Sequence, residues 1–190
     1  MKIAVAGTGY VGLVTGVCLA EHGHVVTCVD VDENKVKMME SGKSPIYEPG
    51  LEELMVKNMD HLYFTTDYQK AYVDADVIII AVGTPEKKDG SANLAFVFGV
   101  AGQIAESISK ECVVIVKSTV PIGTNDEVEK ILNENSKGLK VHVASNPEFL
   151  AQGTAVPDTM HASRIVLGVN DTFAKEKLME MYQNFDAPIM

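Results

Sequence analysis

The sequence predicts an α/β fold, a doubly wound, mostly parallel sheet with helices on both faces, and three observations carry that expectation. The chain opens with an apolar run, Met1-Lys2-Ile3-Ala4-Val5-Ala6, that leads directly into Gly7-Thr8-Gly9-Tyr10-Val11-Gly12. Apolar runs such as Val77 to Val82 and Val113 to Val116 then alternate with stretches at helical spacing. Strands buried on both faces and separated by helices form parallel sheets. Thr8, Asp30, Thr84, Thr119 and Glu148 all fall just after strands, the place where such sheets bind ligands.

The elements follow in order. After the first strand comes a helix from Val11 to Glu21 and a strand from Val25 to Val29 that ends in Asp30. A helix from Glu33 to Ser41 is stopped by Gly42 and the turn-rich Lys43 to Gly50. Leu51 to Asn58 reads as a helix, His61 to Thr65 as a strand, and Asp67 as the cap of a short helix to Val73. The strand Val77 to Val82 leads to a loop, Gly83 to Asn93, that holds Pro85 and the turn pair Asp89-Gly90. Leu94, Val97, Phe98, Ala101, Ile104, Ala105 and Ile108 form a core-facing helical stripe. Val113 to Val116 is a strand, followed by Ser118-Thr119-Val120-Pro121 and a helix to about Asn133. Further strands are expected at Val141 to Ala144 and Arg164 to Val169. The tail, Asp171 to Met190, contains a helical stretch and then Ala187-Pro188-Ile189-Met190, which reads as the start of another strand, so a longer protein is expected.

The glycine turn carries specific chemistry. Gly7 permits a tight bend, Gly9 lets backbone amides approach a pyrophosphate, and Gly12 lets the next helix pack closely on the strand. The helix N-terminus, starting near Val11, then faces phosphates with its positive dipole end. Asp30 lies 21 residues beyond Gly9, where a ribose-binding carboxylate is expected. A carboxylate accepts hydrogen bonds from ribose hydroxyls and repels a 2′-phosphate, so NAD is expected as cofactor rather than NADP. The competing reading is that Asp30 caps the helix starting near Glu33, a task Asp32 could also perform.

Size and composition narrow the class further. With 190 residues and 46% hydrophobic content, the chain suffices for one substantial domain. No apolar run reaches the roughly 18 residues of a membrane span, and no basic n-region precedes the apolar start. A cytoplasmic protein without a membrane partner is expected. Net charge is −10, from 16 basic and 26 acidic residues, which disfavours nucleic-acid binding. Cys18, Cys28 and Cys112 show no metal-type clustering and read as small buried hydrophobes. His22, His24, His61, His142 and His161 share no ligand spacing, so no metal site is expected.

Four segments resemble one family, the nucleotide-sugar dehydrogenases of the UDP-glucose/GDP-mannose dehydrogenase type. They are Gly7 to Gly16 (GTGYVGLVTG), the SPIYEPG segment with Pro45 to Gly50, Lys117 to Thr124 (KSTVPIGT) and Asn146 to Leu150 (NPEFL). They span essentially the whole chain, in order. Together with Asp30-Val31-Asp32 and Asp158 to Gly168 (DTMHASRIVLG), they look most like the bacterial UDP-glucose 6-dehydrogenases of that family.

The resemblance implies that residues 1–190 form the NAD-binding Rossmann-type domain of an oxidoreductase. A primary alcohol of a sugar nucleotide would pass two hydrides in succession to NAD, through a thioester on a cysteine. That cysteine, a central dimerisation helix and a C-terminal UDP-binding domain would lie beyond this chain, which alone would bind NAD without turnover. The complete enzyme would be a homodimer serving polysaccharide biosynthesis. Thr119 resembles the threonine that hydrogen-bonds a catalytic water, and Glu148 the glutamate that takes a proton during thioester hydrolysis. From residue chemistry alone, Thr119 could equally be a capping hydroxyl and Glu148 a first-turn acid.

For the cofactor, the resemblance implies Gly7, Gly9, Tyr10, Val11, Gly12, Asp30, Lys35, Thr84, Thr119 and Glu148. For UDP-glucose or a related sugar nucleotide it implies Glu148, Phe149, Leu150, Ala151 and Gln152, where many relatives carry Arg-Glu in place of Ala151-Gln152. Lys35 also reads as an exposed helix residue, and Tyr47-Glu48-Pro49 as either an active-site entrance loop or a structural turn. Two rival functions stand beside this one. The first is oxidation of GDP-mannose or a UDP-N-acetylhexosamine, and the second is a stand-alone NAD-binding module.

Overall fold

The computed structural model describes residues 1–190. Its strands are β1 (Lys2–Ala6), β2 (Val25–Val29), β3 (Leu62–Thr65), β4 (Val77–Ile80), β5 (Cys112–Val116), β6 (Val141–Ser145) and β7 (Gly168–Val169). Its helices are α1 (Tyr10–Glu21), α2 (Glu33–Glu40), α3 (Leu51–Lys57), α4 (Tyr68–Tyr72), α5 (Ala95–Ser107), α6 (Thr124–Asn135), α7 (Ala155–Met160) and α8 (Thr172–Met181). One sheet holds all seven strands in the order β3-β2-β1-β4-β5-β6-β7. The first six are parallel and β7 is antiparallel to β6. This is the doubly wound Rossmann order, and its topological switch falls between β1 and β4.

Alternation along each strand feeds two cores. Ile3, Val5, Val77 and Ile79 point to one face, beneath α1, α3, α7 and α8. Ala4, Ala6, Ile78 and Ile80 point to the other, beneath α4, α5 and α6. Every side chain of β4 is fully buried, at about 1.5–3 kcal/mol of transfer free energy each. The three thiols are buried too, and burial pushes each up to about 12, so they behave as core hydrophobes.

Local chemistry sets the helix starts. Asp32 caps α2 by accepting the Asn34 and Lys35 amides, Asp67 caps α4, and Asp171 caps α8. Asp171 also accepts from the buried ring of His142 at 2.8 Å, while Glu111 faces the other ring nitrogen at 2.8 Å. His142 thus ties β6 to α8 and to the start of β5. No group of three or more His, Cys, Asp or Glu is placed to hold a metal ion, and no helix is long and apolar enough to cross a membrane.

Two elements differ from expectation. The strand expected over Arg164 to Val169 pairs with β6 only at Gly168 and Val169. Its first half instead pairs with the tail: Ile165 bridges Ile189 in parallel, and the Leu167 amide donates to the Met190 carbonyl at 2.9 Å. The expected tail strand therefore exists as a short pairing. Helix α7 falls in a stretch to which the sequence reading assigns no element, and it contains Pro157. This proline occupies the first turn of α7, where an amide has no intrahelical partner to lose.

Candidate cofactor and substrate site

The chain turns sharply after β1. Gly7 has φ +99°, and a Cβ there would stand 2.7 Å from the Ala81 carbonyl oxygen. A Cβ on Gly12 would collide with the Gly7 carbonyl oxygen. Both glycines are thus demanded by the protein's own packing. Gly9 is different: a Cβ there would meet nothing within 4 Å, and its backbone, at φ −70° and ψ −171°, is open to any residue. The protein's own packing therefore does not require glycine at this position.

The space beside Gly9 belongs to a cavity of about 490 Å³ between the ends of β1, β2 and β4 and the flank of α5. Gly7, Thr8, Gly9, Asp30 and Lys35 line one side, and Phe96, Gly99, Val100 and Gln103 the other. Asp30 accepts the Thr8 hydroxyl, the Thr8 amide at 3.2 Å and the Asp32 amide at 3.0 Å, and Lys35 Nζ lies 3.9 Å away. Burial opposes its charge, but the bonds from Thr8 and Asp32 and the Lys35 ammonium prevail and hold the carboxyl below its ordinary range. Because Asp32 takes the cap of α2, Asp30 is left facing the cavity as an anion.

A second cavity, about 220 Å³, adjoins the first through Gly9, Ala81, Val82 and Gly83. Tyr10, Val11, Thr84, Lys117, Ser118, Thr119 and Glu148 complete its wall. The Thr84 hydroxyl donates to the Thr119 carbonyl at 2.9 Å, which ties together the loops after β4 and β5. Thr119 is exposed and Glu148 half-buried, so both offer side chains to a bound molecule.

A third cavity, about 240 Å³, lies behind Glu148 and shares Lys117 and Glu148 with the second. Phe149, Leu150, Asp158, His161 and Arg164 line it, and the Arg164 guanidinium stands 4.9 Å above the Phe149 ring. Lys117 and Glu148 therefore mark a junction between a long cleft and a polar recess. Burial pushes the Lys117 amine down to about 8, against the opposing pull of the Glu148 charge.

Most expected positions converge on this cleft. Gly12 acts only by letting α1 approach the sheet. The Tyr10 side chain turns away from the 490 Å³ cavity to reach Glu48 and the Gly153 amide at 3.1 Å. Ala151 and Gln152 are exposed and line none of the three cavities. The Ala151 amide instead donates to Asp158 at 3.1 Å. Thr8, expected just after β1, also lines the 490 Å³ cavity, whereas sequence reasoning missed Lys117, Asn146, Asp158, Arg164 and the α5 wall. Only Lys117 left a signal, a lysine continuing the wholly apolar Cys112 to Val116.

Comparison with known proteins identifies relatives of the chain. UDP-glucose 6-dehydrogenase YwqF of Bacillus subtilis is 50% identical over all of this chain and 44% of its own length. A UDP-glucose 6-dehydrogenase of Rhizobium meliloti is 47% identical over 96% of this chain and 43% of its own. The chain thus spans less than half the length of these relatives. Among solved structures, a UDP-glucose dehydrogenase from Pyrobaculum islandicum superposes with a TM-score of 0.96 at 39% identity, over 99% of this chain and 45% of that one. A GDP-mannose dehydrogenase from Pseudomonas aeruginosa, solved as a ternary complex, gives 0.95 at 39% identity, over 100% and 46%. Residues 1–186 match the NAD-binding domain of the UDP-glucose/GDP-mannose dehydrogenase family, and the chain belongs to that family as its NAD-binding domain.

Proposed function

We propose that this domain serves an NAD-dependent UDP-glucose 6-dehydrogenase that oxidises UDP-glucose to UDP-glucuronate. The observation that carries the reading is the division of labour between two aspartates: Asp32 caps α2, and Asp30 is left as an anion beside an open glycine turn. Bound NAD supplies the hydride acceptor. The protein's own residues do the rest. Gly9 and the first amides of α1 receive the pyrophosphate, Asp30 and Lys35 the ribose, and Thr84 with Thr119 fix the far end of the cleft.

Glu148 would act as a proton acceptor at the junction, Thr119 would orient a water, and Phe149 and Leu150 would wall the sugar side. Ala151 and Gln152 continue the same loop and would meet the substrate by closure of the wider protein. Cys18, Cys28 and Cys112 are all buried, with pKa values pushed up to about 12, so none is an activated thiol. A thioester step would need a cysteine outside residues 1–190, and residues 1–190 alone would bind NAD without turnover. The choice of UDP-glucose over GDP-mannose is supported by the UDP-glucose 6-dehydrogenases among the curated relatives. We place the whole protein as a cytoplasmic homodimer in polysaccharide synthesis.

Calorimetric titration of the chain with NAD and with NADP tests the cofactor site: NAD binding with little or none for NADP is expected, and binding of neither by folded protein would overturn it. Assay of a protein of the relatives' length with UDP-glucose and GDP-mannose tests the substrate. Faster oxidation of GDP-mannose would replace UDP-glucose.

A further inference from the structure

A lysine is rarely buried without a carboxylate partner, because the desolvation cost goes unmatched. Lys117 is 8% exposed and takes part in none of the ion pairs of the molecule. Its Nζ donates to two acceptors, both on Asn146: the carbonyl oxygen at 3.3 Å and Oδ1 at 3.0 Å. Asn146 is itself fixed, since its Oδ1 accepts the Tyr182 hydroxyl at 2.6 Å and its Nδ2 donates to the Val166 carbonyl at 2.9 Å. A neutral amine has two N–H groups and one lone pair. Asn146 consumes both N–H groups, and the remaining tetrahedral position has no protein partner.

We propose that Lys117 is a proton-exchanging residue of this site, whose amine takes the proton of a substrate hydroxyl at the junction of the two smaller cavities. The proposal rests on the dehydrogenase reading above. In the step, the C–H bond of the carbinol breaks and its electron pair leaves as hydride to the nicotinamide of NAD. The O–H bond breaks at the same time, its electrons form the second C–O bond, and its proton goes to the Lys117 lone pair. Lys117 lines both cavities, so a molecule that spans them passes beside this residue.

The surrounding charges suit an exchangeable proton. Burial lowers the amine to about 8, and the Glu148 charge pulls it upward. Across the 240 Å³ cavity stand Asp158, His161 and Arg164, with Tyr182 joined through Asn146. Tyr10 faces it across the 220 Å³ cavity. An amine in this range is partly neutral near physiological pH, as a proton acceptor must be.

The test is a lysine NMR titration of the chain with and without NAD, the Lys117 signal being assigned by its loss in Lys117→Arg. A midpoint near pH 8 is expected, moving lower in Glu148→Gln. A midpoint in the ordinary lysine range, about 10.4, would make Lys117 a fixed cation and overturn the proposal. In the protein of the relatives' length, Lys117→Arg keeps the charge but cannot release a proton, so kcat should fall about 100-fold or more. The NAD dissociation constant should stay the same. Rescue of turnover by arginine would show that charge alone suffices, which also overturns it. Calorimetry with NAD on the same sample separates the two ideas. Absence of NAD binding removes the dehydrogenase reading, whereas NAD binding with an ordinary lysine midpoint removes only the role of Lys117.

Discussion

The Ala155 amide donates to Glu48 Oε1 at 2.7 Å, joining two residues 107 positions apart. The other Glu48 oxygen accepts the Gly153 amide at 2.8 Å and the Tyr10 hydroxyl. One buried carboxylate therefore satisfies the first amides of α7 and ties the loop after Glu148 to the residue that follows Gly9. Burial opposes the charge, but the bonds from Tyr10, Gly153, Ala155 and Val156 outweigh it and hold the carboxyl below its ordinary 4.5.

Glu48→Gln should accordingly lower Tm and speed hydrogen exchange at Gly153 and Ala155. A carboxyl with a lowered folded pKa stabilises the fold above its unfolded value and loses that contribution as pH falls through the folded one. The wild-type protein should therefore lose stability below about pH 4.5 more steeply than Glu48→Gln. Parallel acid unfolding curves for the two proteins would show that Glu48 contributes no such linkage.

Asp30→Ala should weaken NAD binding about 10- to 100-fold, since hydrogen bonds to a charged group contribute about 1.5–3 kcal/mol. Affinity for NADP should fall less or rise, because the repulsion of its 2′-phosphate is gone. Calorimetry with both nucleotides checks this. Unchanged selectivity would take Asp30 out of the ribose site.

The two glycines of the turn should separate folding from binding. Gly9→Val meets open space, so the variant should unfold near the wild-type temperature yet fail to bind NAD. Gly12→Ala drives a Cβ into the Gly7 carbonyl, so its Tm should drop by several degrees before any ligand is added. Thermal melts paired with NAD titration distinguish them, and a Gly9→Val variant that binds NAD would refute the pyrophosphate path.

Lys117→Met should raise stability at pH 7. Burial lowers the amine from 10.5 to about 8, a penalty on the order of 3 kcal/mol while the group is charged. Between those two pH values the unfolded chain binds more protons than the folded one, so wild-type stability recovers as pH rises. The advantage of Lys117→Met should be full below pH 8 and shrink toward pH 10.5. Urea unfolding of both proteins at pH 7 and pH 9.5 measures it, and an equal gap at both would contradict the buried titration.

The strands were legible because full burial forces continuous apolar runs, as in Val77 to Ile80 and Cys112 to Val116. The glycine turn was legible because steric exclusion leaves glycine alone at Gly7 and Gly12. Helix α7 was not, since its start depends on Glu48, which no local pattern links to Ala155. The end of the sheet was not either, since Ile165 pairs with a tail residue and Gly168 with β6.

The sequence by itself determined the doubly wound class, the cofactor turn and the candidate position Asp30, because each follows from residues a short distance apart in the chain, whereas the roles expected of Thr119 and Glu148 came from the resemblance of their segments to a known family. Only the tertiary structure decided that Asp32 takes the cap and frees Asp30, that Tyr10 serves Glu48, and that Lys117 lies buried between two cavities. These outcomes depend on which distant backbone amides and carbonyls need partners, and that need arises only when strands and loops far apart in sequence pack together.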